Sequence, residues 1–565
     1  MYQKYKESDP RDTIRRIRDA LASVGVHMDP AFMRPVDGIV SVRLTDREHG
    51  FETYGKGTDE DWALASAYGE AAERFQNRMA YEIPEPGPWA PFREWPDEQP
   101  VPLAEALRAP YIATDFGEHY SNGVLAPDAF LRELFGTDTV SLVPFSSEKQ
   151  GGSVLLPDRI IGTLCGSNGL ASGNTYDEAL CQGMCEAAER YAKYRMLRDR
   201  VSPVTVPEEY IETEVPELFS VMKAIAEGSG CRVIIRDLKP ASGFPVLQAL
   251  LVDSVHQRYC TRFGCHPVFA VALERTLTEL LQGQERLNAL SNSVRWPQEQ
   301  DVFSFRNLLD SVKTDIADLS DEFLSGVTDQ NFTPWPRKPF TNRDGVRELT
   351  ALFLRIAPDV LIRKTGFLGI PSVRIYIPGV TPLPLRFSDR ILEYNRVSRL
   401  LHDPRYMTGI SDESELQTIF TALTAEDSSV GNRIGQCEIG IGYDEMKGLL
   451  LYMLGQDENA EAAFEKSVSP QGKCMYHALR MKLAGKDDRI RKAVLQLFFG
   501  ERTAAFTEKV LSDRKNALAV WTDPTGLYRR FLEMIPDRDS RTRLAVLEKN
   551  VRERMMADHV RRTSR

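Results

Sequence analysis

One arrangement of polar side chains occurs three times in the sequence, each time in a segment otherwise rich in alanine, leucine and other small or apolar residues. The polar residues stand at positions i, i+4 and i+7, and on an α-helix these offsets lie along one stripe. The stripes are Ser66, Glu70 and Glu73 in residues 62–75; Gln182, Glu186 and Glu189 in residues 179–191; and Arg275, Glu279 and Gln282 in residues 271–283. Each segment is therefore predicted to be a packed helix with one polar face.

The chemistry of these stripes depends on whether the three helices meet. If they do, carboxylates that share one site repel one another or acquire raised pKa values, unless cations compensate their charge. Hard oxygen ligands favour Mg²⁺ or Ca²⁺, and Mg²⁺ commonly joins carboxylates to substrate phosphates, which Arg190 and Arg275 could also bind. The spacing thus indicates a nucleotide–magnesium site, with three separate amphipathic helices as the alternative. The predicted metal ligands are Glu70, Glu73, Glu186, Glu189 and Glu279.

Glycine-containing segments precede the three helices, at residues 55–57 (GKG), 167–175 (SNGLASGNT) and 264–267 (GCHP). We expect turns there, in which the backbone approaches a ligand closely and leaves N–H groups free for an anion. Residues 50–57 (GFETYGKG) nearly match the phosphate-loop pattern G-x-x-x-x-G-K-[ST], but Gly57 stands where Ser or Thr would bind magnesium. A phosphate-binding loop of that kind is therefore rejected.

The chain changes character near residue 400. Before it, strand-like runs are predicted at residues 38–45, 50–54, 140–143, 153–156, 233–235, 246–252 and 373–377, with helices between several of them. After it, nearly every segment has helical periodicity, and residues 448–468 resemble one helical hairpin of the tetratricopeptide type, with a plain helical bundle as the alternative. The predicted architecture is α/β (α+β) over residues 1–400 and all-α over residues 401–565, the latter serving interaction or dimerisation.

Composition narrows the class of protein. The 565 residues carry 71 Lys and Arg against 81 Asp and Glu, a net charge of −10, which argues against a general nucleic-acid or membrane coat. The apolar runs are far shorter than the ~20 residues of a membrane span, and the first residues lack a signal-peptide core. Eight cysteines without a paired framework indicate reduced thiols. We expect a soluble cytoplasmic protein whose basic residues 549–565 form a solvated terminal helix.

The three stripes and the glycine segments before them resemble the nucleotide-site motifs of the YcaO family. Residues 55–74 resemble the first motif, residues 167–190 the second and residues 272–282 the third, and residues 372–379 (SVRIYIPG) also fit. The resemblance extends to the long bacterial members with a tetratricopeptide-like helical tail. It implies nucleotide contacts by Lys6 and Thr13, by the polar side chains Ser66 and Gln182, and by the glutamates and arginines named above.

The resemblance also implies a reaction. Family members use ATP and Mg²⁺ to activate an amide: the backbone carbonyl oxygen of a peptide attacks the γ-phosphate, and the phosphorylated oxygen then leaves as phosphate. Such phosphoryl transfer needs mainly positioning and charge neutralisation from the protein. Azoline-forming members usually end in a proline-rich tail, whereas this chain ends in Arg-Arg-Thr-Ser-Arg, so cyclodehydration of a natural-product precursor is disfavoured.

The long bacterial members are instead linked to β-methylthiolation of an aspartate in a small-subunit ribosomal protein, where they assist a radical methylthiotransferase. The chain itself lacks the iron–sulfur motif C-x-x-x-C-x-x-C, because Ala188 follows Cys181 and Cys185 where a third cysteine would stand; the two cysteines are interpreted as small core residues. We therefore expect an ATP-hydrolysing, homodimeric accessory factor with a ribosomal protein and a methylthiotransferase as partners. Backbone-amide modification of another protein and a nonenzymatic ATP-binding adaptor remain the alternatives.

Overall fold

The computed structural model describes residues 4–79, 95–115, 138–200, 202–283, 294–296, 318–337, 339–382, 443–467, 469–517 and 538–563, and single residues at 302, 307, 311, 416, 417, 420 and 521. Most of the proline-rich stretch 83–100 and the predicted boundary near residue 400 lie outside these ranges. None of the described helices is long and apolar enough to cross a membrane.

The first sheet has three antiparallel strands in the order β1-β2-β3. β2 pairs with β3 from Val40 opposite Gly57 to Asp46 opposite Phe51, and the two strands overlap the runs predicted at residues 38–45 and 50–54. The second helix packs on β2 and β3, and the first helix packs against the second. Asp9 caps the first helix by accepting a hydrogen bond from the Arg11 N–H at 2.9 Å. The elements are α1 (Pro10–Ala22), β1 (Asp29–Val36), β2 (Ile39–Asp46), β3 (Phe51–Gly57) and α2 (Glu60–Gln76).

The second sheet is antiparallel throughout, in the order β12-β11-β10-β9-β8. Its central hairpin, β10 with β11, is buried along nearly its whole length. The helix Pro216–Ser229 contacts β9, and the helix Phe269–Leu280, which follows β11 directly, packs on β10 and β11. The elements are β8 (Val204–Thr205), α6 (Glu208–Glu214), α7 (Pro216–Ser229), β9 (Arg232–Asp237), β10 (Val246–Asp253), β11 (Arg258–Cys265), α9 (Phe269–Leu280) and β12 (Val294–Arg295).

The third sheet runs in the order β4-β5-β13-β14-β7, with β6 paired to β5, and all its pairings are antiparallel. The long helix α5 packs against β7 and β14. The elements are β4 (Gln99–Pro102), α3 (Leu103–Ala106), β5 (Thr139–Ser147), β6 (Ser153–Pro157), α4 (Asp158–Cys165), β7 (Leu170–Ser172), α5 (Tyr176–Arg198), α8 (Lys239–Ser242), α10 (Asp321–Ser325), α11 (Asn342–Phe353), β13 (Leu361–Thr365) and β14 (Ser372–Tyr376).

The only regular elements in the described part of the chain after β14 are helices, as predicted. α12 and α13 form the expected hairpin around Gly455, which adopts a φ of 76°, and Gly448 lets the Phe464 ring approach the α12 backbone. α14 and α15 continue the row, and α15 breaks at Gly500 (φ 81°). The elements are α12 (Tyr443–Met453), α13 (Asp457–Glu465), α14 (Pro470–Leu483), α15 (Asp488–Ser512), the short 3₁₀ turn Arg514–Asn516 and α16 (Arg538–Thr563).

The last helix, α16, differs from the solvated terminal helix that was predicted. Leu547, Val551 and Met555 of α16 are buried in the hydrophobic cluster that contains β2, β3, α1 and α2, rather than in the cluster of α12 to α14. Asn550 donates to the Val24 carbonyl oxygen at 3.2 Å. The prediction of a solvated terminal helix is therefore wrong for one face of α16, because an apolar residue every three to four positions forms a packing stripe.

Candidate active site

Each of the three predicted site helices follows a strand, not a free turn. The glycine of Gly-Lys-Gly at residue 55 lies within β3, and a Cβ there would stand 2.2 Å from the Ala63 carbonyl oxygen of α2. Gly264 in β11 is as tightly packed, because a Cβ would stand 2.6 Å from the Thr276 backbone nitrogen of α9. The expectation of ligand-binding turns is thus wrong at these positions: glycine is required because a helix packs directly on the strand.

The three helices meet around one cavity of about 410 Å³, a volume typical of small-molecule sites. The N-terminal segment and α1 complete its wall. Every predicted site residue lines this cavity: Lys6, Thr13, Ser66, Glu70, Glu73, Gln182, Glu186, Glu189, Arg190, Arg275 and Glu279. The alternative of three separate, solvated glutamate faces is therefore wrong.

On α2 one arginine serves two carboxylates. Arg74 lies 3.3 Å from Glu70 and 3.1 Å from Glu73, and the Tyr54 N–H of β3 also donates to Glu70 at 3.3 Å. Burial raises the pKa of Glu73 to about 8; Arg74 lowers it, while the nearby charges of Glu186 and Glu70 raise it further. The protein's own cations thus leave this cluster short of positive charge.

The stripe residues of α5 and α9 have partners both on their own helix and on the other helix. Glu186 pairs with Arg190 of its own helix at 3.3 Å, whereas Arg275 of α9 donates to Gln182 of α5 at 2.9 Å. Burial opposes the charge on Arg275, but neighbouring thiols and the Glu189 carboxylate outweigh it and raise the pKa of that guanidinium. Arg275 therefore stays charged between the second and third stripes.

The Glu279 carboxylate pairs with Lys56, which belongs to β3 of the first sheet. The same ammonium group donates to the Gln282 side-chain oxygen at 2.9 Å. Lys56 thus joins the first and third motifs across the cavity. Among the described residues, no three acidic, histidine or cysteine side chains are preassembled to hold a metal ion.

The N-terminal segment crosses the rim of the cavity. Lys4 pairs with Glu274 of α9 and donates to Thr58 before α2 at 2.9 Å, and Lys6 lies 3.3 Å from Glu178 of α5. Burial raises the pKa of Glu178, but Lys6 and the Glu7 N–H lower it, and the net pKa is below its ordinary value. On α1, Thr13 donates to Asn174 at 2.9 Å, next to the start of α5.

The wall behind α5 is apolar and sulfur-rich. Cys181, Cys185 and Cys265 are buried, which confirms the interpretation of the first two as core residues. Burial lowers the pKa of His266 to about 4, and its Nδ1 accepts the Val268 N–H at 3.0 Å. His266 is therefore a neutral loop residue.

The residues fit a magnesium–nucleotide ligand by their chemistry. Carboxylate oxygens are the donors that Mg²⁺ prefers, and the raised pKa of Glu73 marks a cluster that a divalent cation would stabilise. Lysines and arginines on the same wall suit phosphate oxygens. In comparison with known proteins, the family model described as a YcaO cyclodehydratase that binds ATP and Mg²⁺ matches residues 54–381, more than half of the chain.

The chain belongs to the YcaO family. The family's mixed α/β domain, with antiparallel sheets and helices after it, agrees with the predicted fold class, and ATP and Mg²⁺ are the cofactors that the motifs predicted.

Three relatives illustrate the similarity. The chain is 28% identical over 405 residues to the ribosomal protein S12 methylthiotransferase accessory factor YcaO of Escherichia coli K12, a match covering 67% of this chain and 66% of that relative. It is 28% identical over 393 residues, with the same coverage, to an uncharacterized protein of Haemophilus influenzae. Among solved structures, YcaO of Methanopyrus kandleri bound with AMPPCP and Mg²⁺ shares 19% identity, with a TM-score of 0.43 over 67% of this chain and 94% of that chain. The match therefore spans 66% of the length of each curated relative.

Several cavity residues escaped the sequence analysis. Lys56 and Arg74 stood inside the recognised motifs, yet their carboxylate partners could not be assigned to them from spacing alone. Glu178 follows the α5 cap Thr175 by three residues, a spacing that marks a helix start and could have drawn attention to it. Lys4 and Glu274 carried no such signal, because 270 residues separate them.

Proposed function

We propose that this YcaO protein is an ATP- and Mg²⁺-dependent accessory factor for β-methylthiolation of an aspartate in a small-subunit ribosomal protein. The observation that carries the proposal is the convergence of all three motif helices on one cavity, in a chain similar to the E. coli accessory factor over 67% of its length. The proposed partners are the ribosomal protein and a radical methylthiotransferase, which would place the protein in the cytoplasm.

In the proposed site, Glu70, Glu73, Glu186, Glu189 and Glu279 hold magnesium, and Lys6, Arg190 and Arg275 bind phosphates. Thr13, Ser66 and Gln182 supply uncharged polar contacts. ATP supplies the phosphoryl group, and the protein positions it and compensates its charge. Arg275 donates a hydrogen bond to Gln182 and is attracted by the Glu189 carboxylate, so its side chain is oriented before any ligand enters. This orientation reduces the entropy that the side chain loses when a ligand binds.

The proposed division assigns residues 1–400 to the nucleotide-binding domain and residues 401–565 to a tetratricopeptide-like domain for interaction or homodimerisation. The consecutive helices α12 to α15 and the close Gly448–Phe464 contact support the second assignment. α16 is the exception, because its apolar face packs on the first hydrophobic cluster.

A second candidate is ATP-dependent activation of a backbone amide in another protein or peptide. The family description as a cyclodehydratase favours it. Both candidates require ATP turnover, whereas a nonenzymatic adaptor would bind ATP without consuming it. Release of ADP and phosphate by the purified protein, with and without candidate substrates, separates the adaptor from the other two.

Substrate identity requires a second measurement. Intact-mass analysis of ribosomal proteins from a deletion strain should show one small-subunit protein lacking the mass of a methylthio group if the first candidate is right. Unchanged ribosomal masses, together with a mass change in another protein, would support amide modification instead.

The site assignment is tested by Glu186→Gln and Glu279→Gln. Each change removes one anionic magnesium ligand, so magnesium-dependent ATP affinity should fall by roughly tenfold or more while the fold persists. Glu274→Gln is the matched control, because Glu274 also lines the cavity but pairs with Lys4 and is not a proposed ligand. Unchanged ATP affinity in both test variants would contradict the site.

A further inference from the structure

The N-terminal segment at the cavity rim is held by a residue that belongs to none of the three motifs. The side-chain amide of Asn342, the first residue of α11, donates to the Tyr5 carbonyl oxygen at 2.9 Å and to the Glu7 carboxylate at 2.8 Å. A carbonyl and a carboxylate can only accept, so both N–H groups of the amide are engaged. Asn342 therefore holds the chain on both sides of Lys6.

The backbone at Tyr5 adopts a conformation that needs such support. Its φ of 57° lies in the left-handed region, which a bulky residue rarely adopts. This turn interrupts the alternation of an extended chain, and Lys4, Tyr5 and Lys6 all line the cavity. The Tyr5 ring packs edge-on against Phe340, just before α11, with 5.0 Å between the ring centroids. The start of α11 and the residue before it thus hold both the carbonyl and the ring of Tyr5.

α5 holds the same segment from the other side. The Lys6 ammonium group lies 3.3 Å from the Glu178 carboxylate, and the Glu7 N–H donates to that carboxylate at 3.1 Å. The first residues of a chain are usually poorly ordered unless other elements tie them down. Here two helices tie down residues 5–7, so Lys6 loses less conformational entropy when it binds a ligand.

We propose that Asn342 is a positioning residue of the nucleotide site: its amide fixes the turn at Tyr5 and the side chain of Glu7, and thereby places the Lys6 ammonium group beside a phosphate of ATP. This inference rests on the proposed ATP site and deepens it by adding a residue from outside the motifs. Asn342 also lines the cavity, so a direct contact with the nucleotide is the competing explanation. The two explanations differ in whether the effect of Asn342 requires Lys6.

A double-mutant cycle on the affinity for magnesium–ATP separates the two explanations. Asn342→Ala should weaken binding by roughly three- to tenfold and Lys6→Met by roughly tenfold, measured on the full-length protein by titration calorimetry. In the Lys6→Met background, Asn342→Ala should cause no further loss, because no ammonium group remains to be placed. A further loss in that background, or native affinity in either single variant, would overturn the proposal.

A second measurement needs no nucleotide. Trypsin cleaves after lysine, and cleavage after Lys4 and Lys6, followed by mass spectrometry, should be several-fold faster in Asn342→Ala because the segment is released from α11. Cleavage there at the native rate would contradict the positioning role.

Thr341→Ala is the matched control for both measurements. It removes the hydroxyl that caps α11 by accepting the Asp344 N–H at 3.2 Å, and Thr341 makes no hydrogen bond to the N-terminal segment among the described residues. This variant should lower the thermal unfolding midpoint but leave magnesium–ATP affinity and the cleavage rate at their native values. Losses equal to those of Asn342→Ala would show that general loosening of α11 is the cause, and the proposal would fail. A native protein that does not bind magnesium–ATP would contradict the proposed function instead.

Discussion

The first and third motifs of the site are built on the same plan. In each, an antiparallel hairpin delivers a strand, β3 or β11, and the following helix, α2 or α9, packs directly on that strand. Glycine makes the approach possible in both, at Gly55 and at Gly264. The shared plan explains how two segments more than 200 residues apart present equivalent polar faces to one cavity.

The two strand–helix units, β3 with α2 (the first unit) and β11 with α9 (the third unit), differ in how the charges of their side chains are balanced. α2 carries two stripe glutamates and meets them with Arg74 of the same helix, while Glu186 lies close enough to raise the pKa of Glu73. α9 carries one stripe glutamate, which receives Lys56 from the other unit. The first unit is therefore short of cations and the third is not, so the demand for magnesium arises mainly on the α2 side.

The units also differ in what covers their cores. The cluster under α9 is completed by neighbouring helices α6 and α7, whereas the cluster under α2 is completed by α16 from the far end of the chain. The stability of the first unit thus depends on a segment of the other predicted domain.

The largest expected change in stability tests the close packing of helix on strand that the first and third motifs share. In Gly55→Ala the new Cβ would stand 2.2 Å from the Ala63 carbonyl oxygen and 2.4 Å from the Ala67 nitrogen, both backbone atoms that cannot turn away. We expect a loss of about 3 kcal/mol or more in the free energy of unfolding, measured with urea. Gly264→Ala should lose nearly as much if the two units are equivalent.

Gly69→Ala is the matched control for the glycine variants. Gly69 lies within α2, and its added Cβ would come no closer than 3.6 Å to the Ser172 hydroxyl. This variant should gain about 0.5–1 kcal/mol from helix propensity. Similar stabilities for Gly55→Ala and Gly69→Ala would show that α2 does not pack on β3 in this way.

A smaller change in stability tests whether α16 completes the hydrophobic cluster under α2. Leu547→Ala removes a side chain of α16 that is 2% exposed and packed in the first cluster, so about 2–4 kcal/mol of stability should be lost. Val546→Ala on the same helix is the control, because Val546 is 54% exposed and its truncation should change stability by less than about 0.5 kcal/mol. Equal, small losses in both variants would place α16 away from this core.

Local patterns predicted much of this arrangement, and distant pairings were beyond them. The stripes followed from helical periodicity, because each reflects one face of a helix, and β2 and β3 overlap the strand runs predicted at residues 38–45 and 50–54. β11 was missed because it is buried on both faces and therefore shows no alternation, and β1 because Pro30 and Pro35 obscure an edge strand. The Lys56–Glu279 pair joins residues 223 positions apart (279 − 56), so only the folded chain reveals it.

The smallest expected effect, a pH dependence of the free energy of unfolding, tests the difference in charge balance between the two units. Glu73 has a pKa raised from 4.5 to about 8, so its contribution to stability is fully present below about pH 4.5 and is lost as the pH rises through about 8. In metal-free protein the free energy of unfolding should therefore fall between pH 6 and 8, by less than about 1.4 kcal/mol per pH unit for this one proton. Glu73→Gln should remove that part of the slope, as measured by urea unfolding in EDTA.

Glu178→Gln supplies the opposite case for the same experiment. The pKa of Glu178 is lowered, so its contribution is present above the ordinary glutamate pKa and is lost only at more acidic pH; the variant should keep the native slope between pH 6 and 8. Saturating Mg²⁺ should flatten the slope of the native protein, because a bound cation favours the charged carboxylate, and should leave Glu73→Gln unaffected. If the native protein and Glu73→Gln have the same slope in EDTA, the α2 cluster is not short of positive charge. The two strand–helix units would then not differ in charge balance.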